Sequence, residues 1–207
     1  NFLNIVTQDL SDTTCTFPVL KFDLVFNLAS YVTSERTLDN LTSHIANSFL
    51  STKNLLQFSS THGVSKFIQV GTIEEYGSGH SPFTETQREQ PISPYSMCKV
   101  ASTYCALLYA HLSSMKISVV RSAAVFGPRQ VRGMLVSNLM NACIEKKNFP
   151  MNKGEQVRDF LYVKDLVNGL LLIGACESSN GEILNLGSNN GYLVKNIAAT
   201  IVKLMGN

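Results

Sequence analysis

Short apolar runs alternate with segments of helical periodicity along the first two thirds of the chain. The apolar runs are short and rich in β-branched and aromatic residues, and they span residues 22–29, 66–70 and 117–121. Apolar residues recur at helical spacing over residues 41–62, 93–111 and 134–146. Strands that alternate with helices predict a parallel α/β sheet with helices on both faces.

Turn and cap residues sharpen these boundaries and divide the chain. Gly63 is placed to end the first helix, and Ser93 followed by Pro94 is a typical helix start, with Ser93 as the N-cap. After about residue 125 the pattern changes: turns at 127–130 and 153–156, a helix at 163–176, a strand at 183–187 and a helix at 193–204. We therefore predict a first domain over residues 1–125, and a mixed segment over residues 126–207 that returns to the sheet.

Composition and charge exclude several classes of partner. The chain has 207 residues, 44% of them hydrophobic, which is enough for a real core. A net charge of +2 with only 15% charged residues gives no polybasic surface, which argues against nucleic acid or an anionic membrane as partner. The longest apolar runs are too short to cross a bilayer, and no signal peptide is visible at Asn1.

The cysteine pattern bears on compartment and metal binding. The five cysteines are widely scattered and never spaced Cys-x-x-Cys: Cys15, Cys98, Cys105, Cys143 and Cys176. This pattern predicts reduced thiols in a cytoplasmic protein and no structural metal site.

The candidate chemistry lies around Tyr95. Lys99 follows it by four residues, so on a helix the two side chains share a face. A free tyrosine has a pKa of about 10, and a nearby cation favours its phenolate. Thr72 comes directly after a buried strand, where open parallel sheets place ligand-binding residues. These three residues suit proton transfer on a sugar or alcohol oxygen.

Several ordered segments extend this pattern. Two segments resemble motifs of the extended short-chain dehydrogenase/reductases, in their nucleotide-sugar epimerase/dehydratase branch. Residues 71–77, Gly-Thr-Ile-Glu-Glu-Tyr-Gly, resemble the Ser-Ser-x-x-x-Tyr-Gly segment of that family, and residues 93–99 resemble its Ser-Pro-Tyr-x-x-x-Lys segment. Five further segments are similar to that family: residues 25–30, Asn47 with 51–56, 121–130, 158–165 and 185–188.

The resemblance implies a Rossmann-like doubly wound sheet, a small C-terminal substrate lobe, and roles for individual residues. Tyr95 would be the general acid/base, Lys99 its electrostatic partner and a ribose ligand, and Thr72 the group that positions the sugar oxygen. The binding site for NAD or NADP would be lined by Asp9, Leu10, Leu28, Ala29, Ser30, Asn47 and Val70, together with Tyr95 and Lys99.

Three further residues are assigned to the substrate, each with an alternative. Arg158 would grip the nucleotide diphosphate, or it pairs with a nearby carboxylate such as Asp159 or Asp165. Arg129 either binds phosphate or is a solvated turn residue. Glu74 either acts on the substrate or caps the loop. Among the residues assigned to the cofactor, Asp9-Leu10 also has an alternative, since it either contacts the adenine or lies in a surface loop.

Departures from the family pattern narrow the prediction. Members that remove water carry an acidic pair after the threonine, and here those positions hold Ile73 and Glu74. An isoleucine cannot transfer a proton, so Ile73 argues against a dehydratase of this type. Ala124 replaces the usual asparagine before the Gly-Pro turn, which removes a substrate contact.

The glycine-rich loop that holds the pyrophosphate in this family has no counterpart here. In Gly77-Ser78-Gly79, the nearest candidate, Pro82 takes the position of the final glycine. We therefore expect an N-terminally truncated piece that lacks the first βαβ part and is inactive when isolated.

Taken together, the sequence predicts an NAD(P)-dependent nucleotide-sugar C4 epimerase or 4-ketosugar reductase, homodimeric when full length. A non-catalytic dinucleotide-binding or sensor protein of the same fold, and a nucleotide-sugar dehydratase, remain as alternatives.

Overall fold

A computed structural model describes residues 4–13, 21–33 and 36–206. The chain forms two compact units. The first contains the described residues up to Arg121 together with Ile173–Leu184, and the second contains Ser122–Leu172 and the residues from Asn185 onward. The division falls close to residue 125, and a later segment returns to the first unit.

A four-stranded sheet organises the first unit. Its strands are β1 (Leu24–Asn27), β2 (Lys66–Thr72), β3 (Lys116–Ser122) and β6 (Ile183–Leu186), in the order β1-β2-β3-β6. β1 and β2 run parallel, with Leu24 opposite Lys66. All seven residues of β2 are buried, as expected for a strand covered on both faces. The predicted α/β class with a parallel sheet is confirmed.

The helices of the first unit pack on this sheet. The predicted helix over 41–62 is α1 (Leu41–His44) followed by a π-helical segment (Ile45–Leu50) and α2 (Ser51–Thr61), so it contains one irregularity that periodicity did not predict. The helix predicted from Ser93 is α3 (Pro94–Leu112), and Ser93 is confirmed as its N-cap. The core residues are apolar and come from both layers: Leu56, Val64, Phe67, Ala106, Met115, Ile117 and Val119.

The second unit contains a small sheet that the sequence analysis missed. Its strands are β4 (Ala124–Phe126), β5 (Val157–Tyr162) and β7 (Gly191–Leu193), in the order β4-β5-β7, with β4 parallel and β7 antiparallel to β5. Two of these strands have three residues, too few to display a period of two. The predicted helices are α4 (Leu135–Glu145), α5 (Val163–Ala175) and α6 (Val194–Leu204), and α5 continues into the first unit.

Across the residues that the structure describes, no helix combines the length and the apolar character needed to span a bilayer.

Candidate active site

Helix α3 carries Tyr95 and Lys99 one turn apart, close to its N-terminus. The helix starts sharply because the Ser93 hydroxyl accepts a hydrogen bond from the Ser96 backbone N–H at 3.1 Å. Pro94 at the first helical position loses no hydrogen bond there. The position of Tyr95 in the first turn therefore follows from local sequence.

Thr72 lies beside Tyr95. It is the last residue of β2, and its side-chain oxygen accepts a hydrogen bond from the Glu74 N–H at 3.2 Å, which caps the short 3₁₀ turn Ile73–Tyr76. The Thr72 side chain is also close enough to the Tyr95 phenol to act on its pKa. The structure therefore brings two of the three predicted catalytic residues side by side.

The surroundings of Tyr95 keep its phenol protonated. Burial raises its pKa, the Glu74 carboxylate and, to a smaller extent, the Glu75 carboxylate raise it further, and the neighbouring Thr72 side chain acts in the opposite direction. The direction is opposite to the one that the sequence analysis expected from a neighbouring ammonium. The physical reason is that Lys99 Nζ donates to the Val70 carbonyl, at 2.6 Å, while carboxylates lie near the phenol.

Lys99 is a buried cation with spare donor capacity. Only 4% of the residue is exposed, and burial lowers its pKa to about 8, although the Glu75 carboxylate favours the charged form. An ammonium has three N–H donors, and within the described residues Val70 is its one hydrogen-bond partner. The remaining donors suit a ligand with hydroxyl groups.

Lys99 gives a pH-dependent stability that can be measured. Its pKa is about 8 when folded and 10.5 as a free side chain, so between these values the unfolded chain binds more protons and stability rises with pH. We expect the free energy of unfolding of the parent, relative to Lys99→Met, to increase by about 3 kcal/mol from pH 7.5 to pH 10.5. Urea unfolding at several pH values measures it. The exposed Lys203→Met is the control, and a pH-independent difference for Lys99→Met would contradict this assignment.

Buried amides hold the segment after β1 in place. Asn27 Nδ2 donates to Thr52 Oγ1 at 3.0 Å and to Gln69 Oε1 at 2.8 Å, and Asn27 Oδ1 accepts from the Ala29 N–H at 3.2 Å. These contacts tie the end of β1 to α2 and β2. They fix Ala29 and Ser30, which the sequence analysis assigned to the cofactor.

The π-helical segment changes which residue faces Ser30. Ser48 is buried, lies 3.0 Å from Ser30 Oγ and accepts from the Tyr31 N–H at 3.1 Å. Asn47, predicted to line the cofactor, is exposed, and its amide donates to the Ser43 carbonyl at 3.1 Å. Ser48 faces Ser30 here, because a π-turn holds one more residue than an α-turn and rotates the following side chains. The assignment of Asn47 to the cofactor stays a prediction.

Of the other residues assigned to the cofactor, Asp9 and Leu28 are exposed and Leu10 is half-buried. Asp9 accepts hydrogen bonds from the Ser11 N–H and hydroxyl at 2.8 and 2.7 Å, which lowers the pKa of its carboxyl and closes a local turn. The Leu10 carbonyl accepts from Asn54 in α2 at 2.9 Å. Leu28 is 59% exposed.

Residues that the sequence analysis did not assign complete the surroundings of Tyr95. The His44 ring is buried between two tyrosines, with ring centroids 4.9 Å from Tyr31 and 5.9 Å from Tyr95. Burial lowers its pKa, which keeps it neutral at pH 7. Behind Thr72, the fully buried Glu75 pairs with Arg121 at 2.8 Å. A charged residue within the apolar run of residues 117–121 was the one sequence signal for this pair.

The two glutamates after Thr72 have different environments. Glu75 completes the capping box, since its carboxylate accepts from the Thr72 N–H at 3.0 Å. Glu74, for which capping was one alternative, has a half-exposed side chain 3.9 Å from Arg36. The loop is therefore capped by Thr72 and Glu75, and the Glu74 carboxylate is left on the accessible side near Tyr95.

Gly77 closes this turn and gives a second prediction. Its φ is +53°, and an added Cβ would lie 1.7 Å from the Gln90 carbonyl oxygen. Gly63 has φ +67° with nothing within 4 Å of an added Cβ. We expect Gly63→Ala to lose about 1 kcal/mol of stability, and Gly77→Ala to lose about 1–3 kcal/mol more because of the overlap. Thermal unfolding compares the two, and equal losses would contradict the tight approach at Gln90.

The second unit holds the two arginines assigned to the substrate. Arg158, on β5, is exposed, and its Nη1 donates to the neighbouring Val157 carbonyl at 3.0 Å. No ion pair joins Arg158 to a carboxylate within the described part of the chain, so the alternative pairing with Asp159 or Asp165 is not observed. Arg129 is exposed in the turn after β4, with φ +66°.

Asp159 joins two of the segments that resemble the family. Its carboxylate accepts from the Ser188 N–H at 3.0 Å, from the Ser188 hydroxyl at 2.6 Å and from the Asn189 N–H at 3.1 Å. A Cβ at Gly187 would lie 2.3 Å from Asp159 Oδ2. The aspartate that follows Arg158 is therefore a loop anchor.

Comparison with known proteins places this geometry in a family. The sequence pattern of the NAD-dependent epimerase/dehydratase family matches residues 1–187. UDP-glucuronate 4-epimerase of Thermodesulfobacterium geofontis is 28% identical over 193 residues, which are 92% of this chain and 59% of that protein. dTDP-glucose 4,6-dehydratase of Streptomyces griseus is 28% identical over 186 residues, which are 89% of this chain and 56% of that protein.

A solved structure agrees with the sequence comparison. UDP-glucuronic acid 4-epimerase from Bacillus cereus, in complex with UDP-glucuronic acid and NAD, superposes with a TM-score of 0.83 at 26% identity, covering 89% of this chain and 60% of that one. The chain spans less than two thirds of the length of these three proteins. With a match over most of its length, the chain belongs to the NAD-dependent epimerase/dehydratase family.

Proposed function

We propose that the chain carries the proton-transfer site of an NAD(P)-dependent nucleotide-sugar oxidoreductase, acting at C4 as an epimerase or as a 4-ketosugar reductase. The observation that carries this proposal is the position of the Thr72 side chain beside the Tyr95 phenol, one helical turn from the buried Lys99. Proteins similar to this chain act on UDP- and dTDP-sugars, which supports a nucleotide sugar as substrate.

Each residue has a defined task in this proposal. Tyr95, protonated at neutral pH, gives a proton to the sugar oxygen in the reducing direction and takes one from the sugar hydroxyl in the oxidising direction. Thr72 holds that oxygen next to the phenol. Lys99 stabilises the phenolate that forms after proton donation, since a neighbouring cation favours the anion.

The residues present fit the nicotinamide half of the cofactor. The buried ammonium of Lys99 retains N–H donors for ribose hydroxyls, and Ala29, Ser30 and Val70 belong to the segments that the resemblance assigns to this half. When bound, the nicotinamide would exchange a hydride with the sugar carbon. No glycine-rich pyrophosphate loop occurs in these 207 residues, so the other half would need residues outside them.

The carboxylates after Thr72 favour epimerase or reductase chemistry over elimination. Removal of water needs an acid and a base beside the sugar. Ile73 supplies neither, and both oxygens of Glu75 are bound by the Thr72 N–H, the Thr103 hydroxyl and Arg121. Glu74 is then the one carboxylate of this turn that can meet a substrate. Arg158 and Arg129 are proposed as ligands of the nucleotide phosphates, because guanidinium groups suit phosphate oxygens.

The test is product analysis with the whole protein from which the chain derives. UDP- and dTDP-hexoses, and the matching 4-keto sugars with NADH or NADPH, are incubated with the protein and separated by chromatography. A C4-inverted sugar identifies an epimerase, and consumption of a 4-keto sugar with reduced cofactor identifies a reductase. A 4-keto-6-deoxy product would identify a dehydratase and overturn the proposal. Cofactor binding without any product would favour a non-catalytic dinucleotide-binding protein.

The isolated 207-residue chain gives a separate prediction. We expect negligible NAD binding, because the backbone N–H groups that hold a pyrophosphate in dinucleotide folds come from a glycine-rich loop that is not in this sequence. Titration calorimetry measures it, with the whole protein as the positive control. A dissociation constant in the micromolar range for the isolated chain would contradict this prediction. Homodimerisation and a cytoplasmic location remain proposals for the whole protein.

A further inference from the structure

A buried carboxylate lies directly behind the proposed site and is not used by the chemistry above. Glu75 is fully buried. Its Oε1 accepts from the Thr72 N–H at 3.0 Å, and its Oε2 accepts from Thr103 Oγ1 at 2.9 Å and from Arg121 Nε at 2.8 Å. Glu75 therefore connects Thr72, the neighbour of Tyr95, with Thr103 in α3 and with Arg121 in β3.

Gly71 makes the space for this carboxylate. A Cβ at position 71 would lie 2.4 Å from Glu75 Oε1 and 3.4 Å from Arg121 Cγ. A serine or alanine there would push the carboxylate out of its position below Thr72. The glycine before Thr72 and the glutamate three residues after Thr72 therefore form a matched pair.

Arg121 alone does not balance the carboxylates around it. Its guanidinium is shared between Glu75 and Glu89, and it lies over the Tyr76 ring at 4.6 Å from the centroid. Two carboxylates on one guanidinium leave one negative charge for the Lys99 ammonium to balance. On α3, the charge of Glu75 acts on Lys99 and on Tyr95, and the charge of Glu74 acts on Tyr95 as well.

The expected effect of this charge has the same sign on both residues. A nearby carboxylate favours the ammonium of Lys99 and disfavours the phenolate of Tyr95, so it raises the pKa of each. Burial lowers the pKa of Lys99 and the Glu75 carboxylate raises it, and together they leave it at about 8. The charge of Glu75 therefore helps to keep this lysine cationic at pH 7.

We propose that Glu75, seated in the space left by Gly71 and held by Arg121, is a positioning residue of the Tyr95 site that fixes Thr72 and provides a buried counter-charge for the Lys99 ammonium. The inference rests on the proposed function, because the positions of Thr72 and Lys99 matter for the reaction only if Tyr95 transfers a proton. Its geometry and its electrostatic effect are properties of the chain itself, so they can be tested without turnover.

The test compares Glu75→Gln with Glu89→Gln. Glutamine keeps the size and a hydrogen-bonding oxygen, and both variants remove one carboxylate from Arg121, but only Glu75 acts on Lys99 and Tyr95. NMR titrations of ¹³C-labelled lysine and tyrosine, assigned with Lys99→Met and Tyr95→Phe, give both pKa values. We expect Glu75→Gln to lower the pKa of Lys99 by on the order of one unit, and that of Tyr95 by less, because burial and Glu74 act on the phenol more strongly than Glu75 does. Glu89→Gln should leave both near the parent values.

Each outcome decides the proposal. Unchanged pKa values in a folded Glu75→Gln, or equal shifts in Glu89→Gln, would overturn it. If Glu75→Gln does not fold, the double variant Glu75→Gln/Arg121→Met removes both charges of the fully buried pair and leaves Glu89, which also accepts from Tyr104, as the carboxylate that has lost Arg121. The pKa of Lys99 should then fall by less than in Glu75→Gln, because a cation is removed together with the carboxylate. If neither variant folds, Glu75 is a structural residue and the positioning role is wrong. Failure of the whole protein to act on nucleotide sugars would overturn the proposed function and leave these titrations unaffected.

Discussion

Replacing Tyr95 by phenylalanine is expected to lower the rate of nucleotide-sugar conversion by about 10²- to 10⁴-fold, the range over which a positioned acid/base contributes. The substitution removes the phenol oxygen that lies beside Thr72 and keeps the ring that packs against His44. Substrate affinity should change much less than turnover, because the lost group acts on the reacting oxygen. Steady-state kinetics of the whole protein with the sugar identified by product analysis measures both quantities.

A matched control lies on the same helix. Tyr109 is also in α3, and its hydroxyl donates to Gln57 Oε1 at 3.0 Å on the surface of the first unit. Tyr109→Phe removes the same atom from a position outside the proposed site, and its turnover should stay close to that of the parent. A parent-like rate for Tyr95→Phe would rule out Tyr95 as the acid/base and favour a non-catalytic role for the fold.

Replacing Arg121 by methionine is expected to destabilise the protein by about 3–5 kcal/mol. The side chain is fully buried and neutralises Glu75, which is fully buried as well. Methionine fills part of the same volume but leaves the carboxylate without its cation in a low-dielectric interior, and this is the largest component of the expected loss. Urea unfolding followed by circular dichroism measures the change. We expect the midpoint to fall with an unchanged slope.

The same strand provides the control for Arg121. Lys116, at the start of β3, pairs with Glu177 at 2.6 Å, but both side chains are largely exposed. An exposed pair contributes little, so Lys116→Met should unfold close to the parent. Equal midpoints for Arg121→Met and Lys116→Met would contradict the buried ion pair. Adding Glu75→Gln to Arg121→Met should recover part of the lost stability, because the unpaired carboxylate is then removed.

Local sequence predicted the elements whose determinants are near in the chain. The start of α3 depends on Ser93 and Pro94 alone, so the place of Tyr95 on that helix could be predicted. The buried strands β2 and β3 were predicted from continuous apolar runs. The strands of the small second sheet could not be predicted, since β4 and β7 have three residues each and are stabilised by pairing with β5.

The sequence by itself determined the α/β class and the ligand-binding position of Thr72 at the end of its strand. It also identified Thr72, Tyr95 and Lys99 together as candidate residues of a proton-transfer site. These depend on periodicity, caps and short motifs, which operate over a few residues. Only the tertiary structure decided the charge state of the site: the phenol stays protonated, Lys99 bonds Val70, and Ser48 rather than Asn47 faces Ser30. The reason is that burial and the charge of Glu75 act through space, between residues whose separation in the chain says nothing about their distance.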